Sequence, residues 1–389
     1  MPKPLILTLL LFFSALTLVA ENRSWTDIEG RVLEAELIEE KGDSIVVRRK
    51  ADQREFTIPL ERLSEADILY LDSLSAGISI DDTMAETAFP EDGLEWPTKV
   101  SAPDDFEVEI IKEDSKDNIY IYRTNNFEFV SDIKLARKVV RDFAEVFETT
   151  LAAVQAMPLE WNIEIPEDGF KTRLFKTRDA YIAAGGIEGS GGLYSSRSRQ
   201  ILVPLDSLGT EKSSSGVTLG DGDQATLIHE ITHQVQHDWL GKMPTWLIEG
   251  MAEYTEAIPY ERGQFRFNRQ DAEAFVRQDG RYPDKIPLID LQKLMQITGR
   301  EWLSNFQTNS YDVGRFYHSA FLLTYYFIHL DGDGDGKRMW NYLRALESAE
   351  NQDDVIRAEQ ILLGPRSYHE LLADMKKKYR SEGIKLQVF

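Results

Sequence analysis

Apolar and polar residues alternate from Gly30 to Glu40 in GRVLEAELIEE, and the same period of two recurs in SIVVRRK and REFTIPL. Each alternation predicts a half-buried strand. Gly42 and Asp43 mark one turn between them, and a second falls near Asp52. LSEADILYL then changes to helical spacing, with Ser64 and Asp67 placed to cap its start. Residues 21–75 are therefore expected to form a small β-rich module. Over 76–117 the periodicity fades while prolines and carboxylates accumulate, as in SIDDTMAETAFPEDGLEWPTKVSAPDDFEVE. A flexible, self-repelling acidic linker is expected there.

From 118 to 389 the periods are mixed, as in an α/β-type or α+β domain. NIYIYRTNNFEFVSD predicts two short strands about a turn. In DIKLARKVVRDFAEVFETTLAAVQAM, Leu135, Val139, Phe143, Val146 and Phe147 recur at helical spacing and predict a long amphipathic helix. FKTRLFKTRDAYIAAG reads as a strand followed by a helix, and GGLYSSRSRQILVPL as a hairpin. Three later segments read as helices. The first is GDGDQATLIHEITHQVQHDWLG, started by Asp221 or Asp223 and ended by Gly241. The others are PTWLIEGMAEYTEAI and YDVGRFYHSAFLLTYYFIHL, the last largely buried. The expected fold class is multidomain, a small all-β unit followed by an α+β unit.

The chain has 389 residues, of which 42% are apolar, enough for a sizeable core. Its formal net charge of -22 has the wrong sign for a nucleic-acid partner. Residues 1–20 read as a secretory signal: Lys3 is the basic start, Leu5 to Val19 the apolar run, and Ala20 the small residue before a cut. Leu18 fits the cleavage pattern poorly, and an uncleaved anchor is the alternative. The signal predicts export to a periplasm or the exterior, with no membrane span after cleavage. There are no cysteines, so disulfides are impossible and any zinc site must use nitrogen and oxygen ligands.

HEITHQVQH, from His229 to His237, holds three of the six histidines. On a helix His229 and His233 share a face one turn apart, a spacing at which two imidazoles reach one Zn2+ ion. Glu230 lies beside that ion, where it can act on water. His237 is about 12 Å along the axis from His229 and roughly 80° around it, so one ion does not reach all three. A catalytic zinc takes a third protein ligand and keeps an open position. Glu249 of the following helix can supply the ligand. Glu253, one turn on, can accept a hydrogen bond from the far nitrogen of a ligand histidine.

HEITH together with WLIEGMAEY resembles the gluzincin clan of zinc metallopeptidases, and most closely the peptidase MA-like bacterial proteins of unassigned substrate. The resemblance implies a thermolysin-like domain over 118–389, with His229, His233 and Glu249 as zinc ligands and Glu230 as general base. It implies a tyrosine on a late helix that stabilises an oxyanion. Tyr317 is the nearest match and Tyr311 the second, His318 is a third candidate, and packing is the competing role. It also implies an edge strand that pairs with the substrate backbone, for which Gly191, Gly192 and Tyr194 are candidates. The N-terminal pattern W-T-D, G-R, then I-P-L-x-x-L-S-x-x-D-x-x-Y-L, from Trp25 to Leu71, resembles the Sla-type homology domain, an SH3-like barrel. That resemblance implies a possible short-peptide ligand.

DGDGDG, from Asp331 to Gly336, matches the first ligand positions of an EF-hand, but its twelfth position is Tyr342 instead of a bidentate glutamate. A turn between helices is the favoured reading. Two functional readings stand: an exported zinc peptidase acting on a peptide or protein, or a non-catalytic envelope scaffold using the SH3-like module. An aminopeptidase would need acidic groups for the substrate amine, and Glu188 is the bare candidate.

Overall fold

The computed structural model describes residues 22–27, 31–41, 44–64, 67, 71, 89–90, 93–104, 106–208, 211–213, 216–218, 224–267, 285–308, 310–349 and 352–389. The signal read at 1–20 and the caps Asp221 and Asp223 lie outside them, as does the side chain of Tyr311. The chain divides into a small unit, Met1–Gly77 with Pro365–His369, and a large unit, Ile78–Gly364 with Glu370–Phe389.

In the small unit the predicted alternations become β1 (Asn22–Thr26), β2 (Val32–Lys41), β3 (Ser44–Arg49) and β4 (Glu55–Pro59). They form an antiparallel meander in sequence order, with β1 and β4 at its edges. Alternation turns Ile45 and Val47 inward against Trp25, Ala35, Leu63 and Leu71. The Trp25 indole N–H donates to the carbonyl of Ala35 at 3.1 Å, so the buried ring leaves no donor unmet. Ser64 Oγ donates to Asp67 Oδ2 at 2.9 Å, and the same oxygen accepts the N–H of Thr26 at 2.7 Å. The carboxylate thus fastens the following segment to β1. A single bridge, Asp27 to Leu63, links the chain after β1 to the chain after β4.

The large unit is α+β. It opens with β5 (Val100–Ser101), β6 (Glu109–Asp114), β7 (Ile119–Arg123), β8 (Phe127–Ser131), α1 (Arg137–Ala156), β9 (Phe170–Phe175), α2 (Arg178–Ala183), β10 (Leu193–Ser195) and β11 (Gln200–Pro204). A six-stranded sheet has the order β10-β11-β9-β8-β7-β6. β8, β9 and β11 are parallel, and the remaining pairs are antiparallel. The parallel step from β8 to β9 needs a crossover, which α1 supplies. Phe127 and Phe129 of β8 meet Phe143 and Phe147 of α1 edge-on, at centroid distances of 5.1 to 5.4 Å. Each such ring contributes about 1.5–3 kcal/mol by burial. α1 starts at Arg137, and ahead of it Asp132 accepts the N–H of Lys176, just after β9, at 2.8 Å.

Next come β12 (Glu211–Ser213), β13 (Gly216–Thr218), α3 (Gln224–Val235), α4 (Thr245–Ala257), β14 (Tyr260–Glu261), β15 (Gln264–Phe265) and β16 (Ile286–Leu288). The unit continues with α5 (Leu291–Gln296), α6 (Gly299–Thr308), α7 (Ser310–His329), α8 (Lys337–Glu347), α9 (Gln352–Leu363), α10 (Tyr368–Ser381) and β17 (Leu386–Val388). α3 packs on α1 and on the β10–β11 edge of the sheet, and α4 lies between α3 and α7. This α+β unit is consistent with a thermolysin-like fold. Among the described residues no helix is long and apolar enough to cross a membrane.

Two readings change in detail, the linker and the length of the histidine helix. β5 and β6 fall within the stretch read as linker, 76–117. Within it Trp96 packs on Tyr254, Phe267 and His329 at 5.1 to 6.0 Å, and Phe89 on Trp340 at 5.7 Å. These anchors are irregularly spaced among carboxylates, so they show no period. The helix read as far as Gly241 stops at Val235, and a separate turn of 3-10 helix, His237–Trp239, follows. Asp331 is buried, accepting from the Tyr326 hydroxyl and pairing with Arg338 Nε, both at 3.0 Å. Asp335 accepts the N–H of Lys337 at 3.0 Å and starts α8. The Asp331–Gly336 stretch is a helix-to-helix turn, with left-handed φ at Gly332, Gly334 and Gly336.

Candidate metal centre

α3 carries its apolar face into the unit through Leu227, Ile228, Ile231 and Val235, all buried. His229 and His233 flank that face, each 9% exposed. Their rings are 4.7 Å apart and nearly perpendicular, at 84°. The Nε2 atoms point at one another across 3.1 Å. From α4, Glu249 brings Oε2 to 3.5 Å from each Nε2.

This donor set fits a metal ion. Ligand atoms around a tetrahedral zinc with bonds near 2.0–2.1 Å stand about 3.3 Å apart, the spacing that these three atoms adopt. Their chemistry agrees: two ring nitrogens and a carboxylate oxygen converge, and one shared proton cannot satisfy all three. Four carboxylates, those of Glu249, Glu256, Glu253 and Glu230, act on His229. Burial alone would lower the His229 pKa, but these acids hold it well above its ordinary value. Burial would raise Glu249, and the two histidines instead hold it down to about 2, so it is ionised and ready to ligate. Among the described residues the buried His233 Nδ1 has no hydrogen-bond partner.

The far nitrogen of His229 also faces acid. Glu256 Oε2 lies 3.2 Å from Nδ1 and Glu253 Oε1 lies 3.5 Å from it. An acceptor there puts the proton on Nδ1 and leaves Nε2 free to ligate. The sequence reading named Glu253 and missed Glu256. The signal was present, because Glu249, Glu253 and Glu256 are spaced four and three apart on one helical face. Glu256→Gln is expected to weaken zinc binding by about 10–100-fold in a competition titration. Glu253→Gln should cost less, and the reverse order would transfer the orienting role to Glu253.

Glu230 points to the sheet edge. Its Oε2 accepts the backbone N–H of Tyr194 in the edge strand β10 at 2.5 Å. Just before that strand, a Cβ at Gly192 would sit 3.5 Å from Glu230 Cγ, and one at Gly191 would sit 3.2 Å from Thr226 Cγ2. The three residues read as an edge are therefore beside the HExxH helix. His237 is elsewhere: the break after Val235 turns its Nδ1 to the Tyr194 hydroxyl, 2.7 Å away. Tyr194 is held to α3 at its amide and to the following turn at its hydroxyl. Tyr317 of α7 stands over the site, its ring 5.9 Å from that of His229 and 5.2 Å from that of Trp302. Burial, reinforced by the Glu249 charge, raises its pKa, so the phenol keeps its proton. His318, the next residue, packs near Phe321 at 6.1 Å, and Glu188 lies in an exposed turn.

Gly250, next to Glu249, also escaped the sequence reading. A Cβ there would fall 2.2 Å from Thr324 Oγ1 and 2.7 Å from the Ala320 carbonyl oxygen. Only glycine lets α4 approach α7 this closely. Gly250→Ala is expected to destabilise the chain by roughly 1–3 kcal/mol in denaturant titration. Adding Thr324→Ala should restore only part of that, since the backbone contact with Ala320 persists.

The buried His/Glu cluster is consistent with a zinc-dependent catalytic site of the metallopeptidase kind, and with a gluzincin-type HExxH-plus-Glu arrangement. No protein-family model, curated protein or solved structure matches this chain.

Proposed function

We propose that the chain is an exported zinc metallopeptidase of gluzincin type that hydrolyses peptide bonds. The observation that carries this reading is the convergence of His229 Nε2, His233 Nε2 and Glu249 Oε2, with Glu230 beside them. A zinc ion held by these three residues supplies Lewis acidity toward the scissile carbonyl and lowers the pKa of water. Glu230 accepts the proton of the attacking water on a carboxylate oxygen and delivers it to the leaving amine. The N–H of Tyr194 keeps that carboxylate oriented until substrate arrives. β10 offers its outer edge to an extended substrate, and Gly191 and Gly192 let the chain before it lie close to Thr226 and Glu230 of α3. Tyr317 donates its hydroxyl proton in a hydrogen bond to the oxyanion. Glu256 and Glu253 hold the proton of His229 on Nδ1.

The N-terminal meander, with its Trp25 core and Ser64–Asp67 clasp, supports an SH3-like module of the Sla type, and a short-peptide ligand rests on the sequence resemblance alone. Export rests on the signal pattern. The scaffold alternative is weakened by the presence of Glu230, which ligation alone does not require.

A peptide-library digest of the mature chain, with and without chelator, tests the reading. Chelator-sensitive cleavage that zinc restores is expected, and the products separate endopeptidase from aminopeptidase action. A zinc-loaded chain that cleaves nothing would favour the scaffold.

A further inference from the structure

Away from the metal centre, α10 and β17 enclose a groove of about 580 Å3. Lys376 and Arg380 line it from one face of α10, and Lys385 and Lys285 from the residues leading into β17 and β16. No carboxylate is among the described lining residues, although the chain as a whole carries a net charge of -22. Lys285 and Lys385 precede paired strands in register, Ile286 opposite Leu386, so two like charges stand side by side. Adjacent like charges are unfavourable unless an anion bridges them.

The groove also contains a strand edge with no backbone partner among the described residues. β16 and β17 form a two-stranded parallel ribbon. Ile286 N–H donates to the Lys385 carbonyl at 2.8 Å, and Phe389 N–H donates to the Leu288 carbonyl at 3.1 Å. The ladder therefore uses Lys385, Gln387 and Phe389 on the β17 side. With a period of two, the N–H and C=O groups of Leu386 and Val388 point away from β16. Both residues line the groove and are half-buried. Such an edge is a template for another strand.

We propose that this groove binds an extended acidic peptide segment of a partner protein, which adds as a strand to β17 while its carboxylates pair with Lys376, Arg380, Lys385 and Lys285. The cations alone would also suit an anionic lipid surface. The strand edge decides between them, because its unpaired amides and carbonyls match a peptide backbone and have no counterpart in a lipid headgroup. This site is independent of the metal centre and of the proposed hydrolysis.

The test uses the full chain and a fluorescein-labelled octapeptide of alternating Glu and Val, confirmed intact by mass spectrometry after each titration. Binding that weakens with added salt is expected, with amide-exchange protection appearing at Leu386 and Val388. Lys376→Glu with Arg380→Glu should lower affinity at least tenfold. Lys285→Glu, on the opposite wall, should lower it severalfold and serves as the independent variant if the pair impairs folding. The octapeptide with alternate backbone amides methylated should bind at least tenfold more weakly. Unchanged affinity after methylation, or no protection at Leu386 and Val388, would overturn strand addition. Binding to vesicles of anionic phospholipid that these charge reversals abolish, without peptide binding, would overturn the proposal in favour of a membrane surface.

Discussion

Replacing Glu230 with glutamine is expected to leave zinc bound and to slow peptide hydrolysis by about 10²–10⁴-fold. Glutamine has the same shape and still presents an oxygen to the Tyr194 N–H, so the contact between α3 and the edge strand survives. What disappears is a group able to take a proton from water and return it to the amine. The three ligand atoms are untouched, and metal content measured on the purified variant should match the parent. The two readouts together separate a chemical role from a structural one. A variant that retained both zinc and full activity would show that the proton passes by another route.

Tyr317→Phe is the second large effect, about 10²–10³-fold in kcat with little change in KM, as for removal of an oxyanion donor. The substitution keeps the ring, and so keeps its edge contacts with His229 and Trp302. Packing is therefore almost unchanged, but the hydrogen bond between the phenol and the Trp302 side chain is lost, so thermal unfolding should show a modest destabilisation of about 1 kcal/mol. If the phenylalanine variant is as active as its parent, Tyr317 is a packing residue. In that case Tyr317→Leu, which disturbs both ring contacts, should be the first change at this position to reduce activity.

The candidate metal cluster was legible because a helix converts a spacing of four into proximity. His229 and His233 needed nothing beyond that rule, and Glu249 needed only a short connection between two helices. The strands of the small unit were legible for the corresponding reason, since alternation is a direct image of a half-buried sheet. Other features depend on contacts between distant residues, and no local period encodes them. Gly250 matters through Ala320 and Thr324 on another helix. Tyr194 and His237 meet because α3 ends at Val235, earlier than the pattern of polar and apolar residues suggests. The acidic stretch read as a linker disguised its few aromatic anchors, because carboxylates dominate its average while Trp96 and Phe89 do the packing.

Trp96 also bears on how much of the acidic stretch the large unit needs. The ring covers Tyr254, the last buried aromatic of the helix that carries Glu249, together with His329 at the end of the helix that carries Tyr317. Tyr254 donates or accepts a hydrogen bond with His329 Nε2 at 2.8 Å, and burial holds His329 down to a pKa of about 3, so the imidazole is neutral. A chain cut at 118, where regular periodicity starts, would remove this cover and one outer strand of the six-stranded sheet. It would open to water the joint between the two helices that frame the His/Glu cluster. A fragment that keeps these ring contacts has to start before Phe89, inside the acidic stretch.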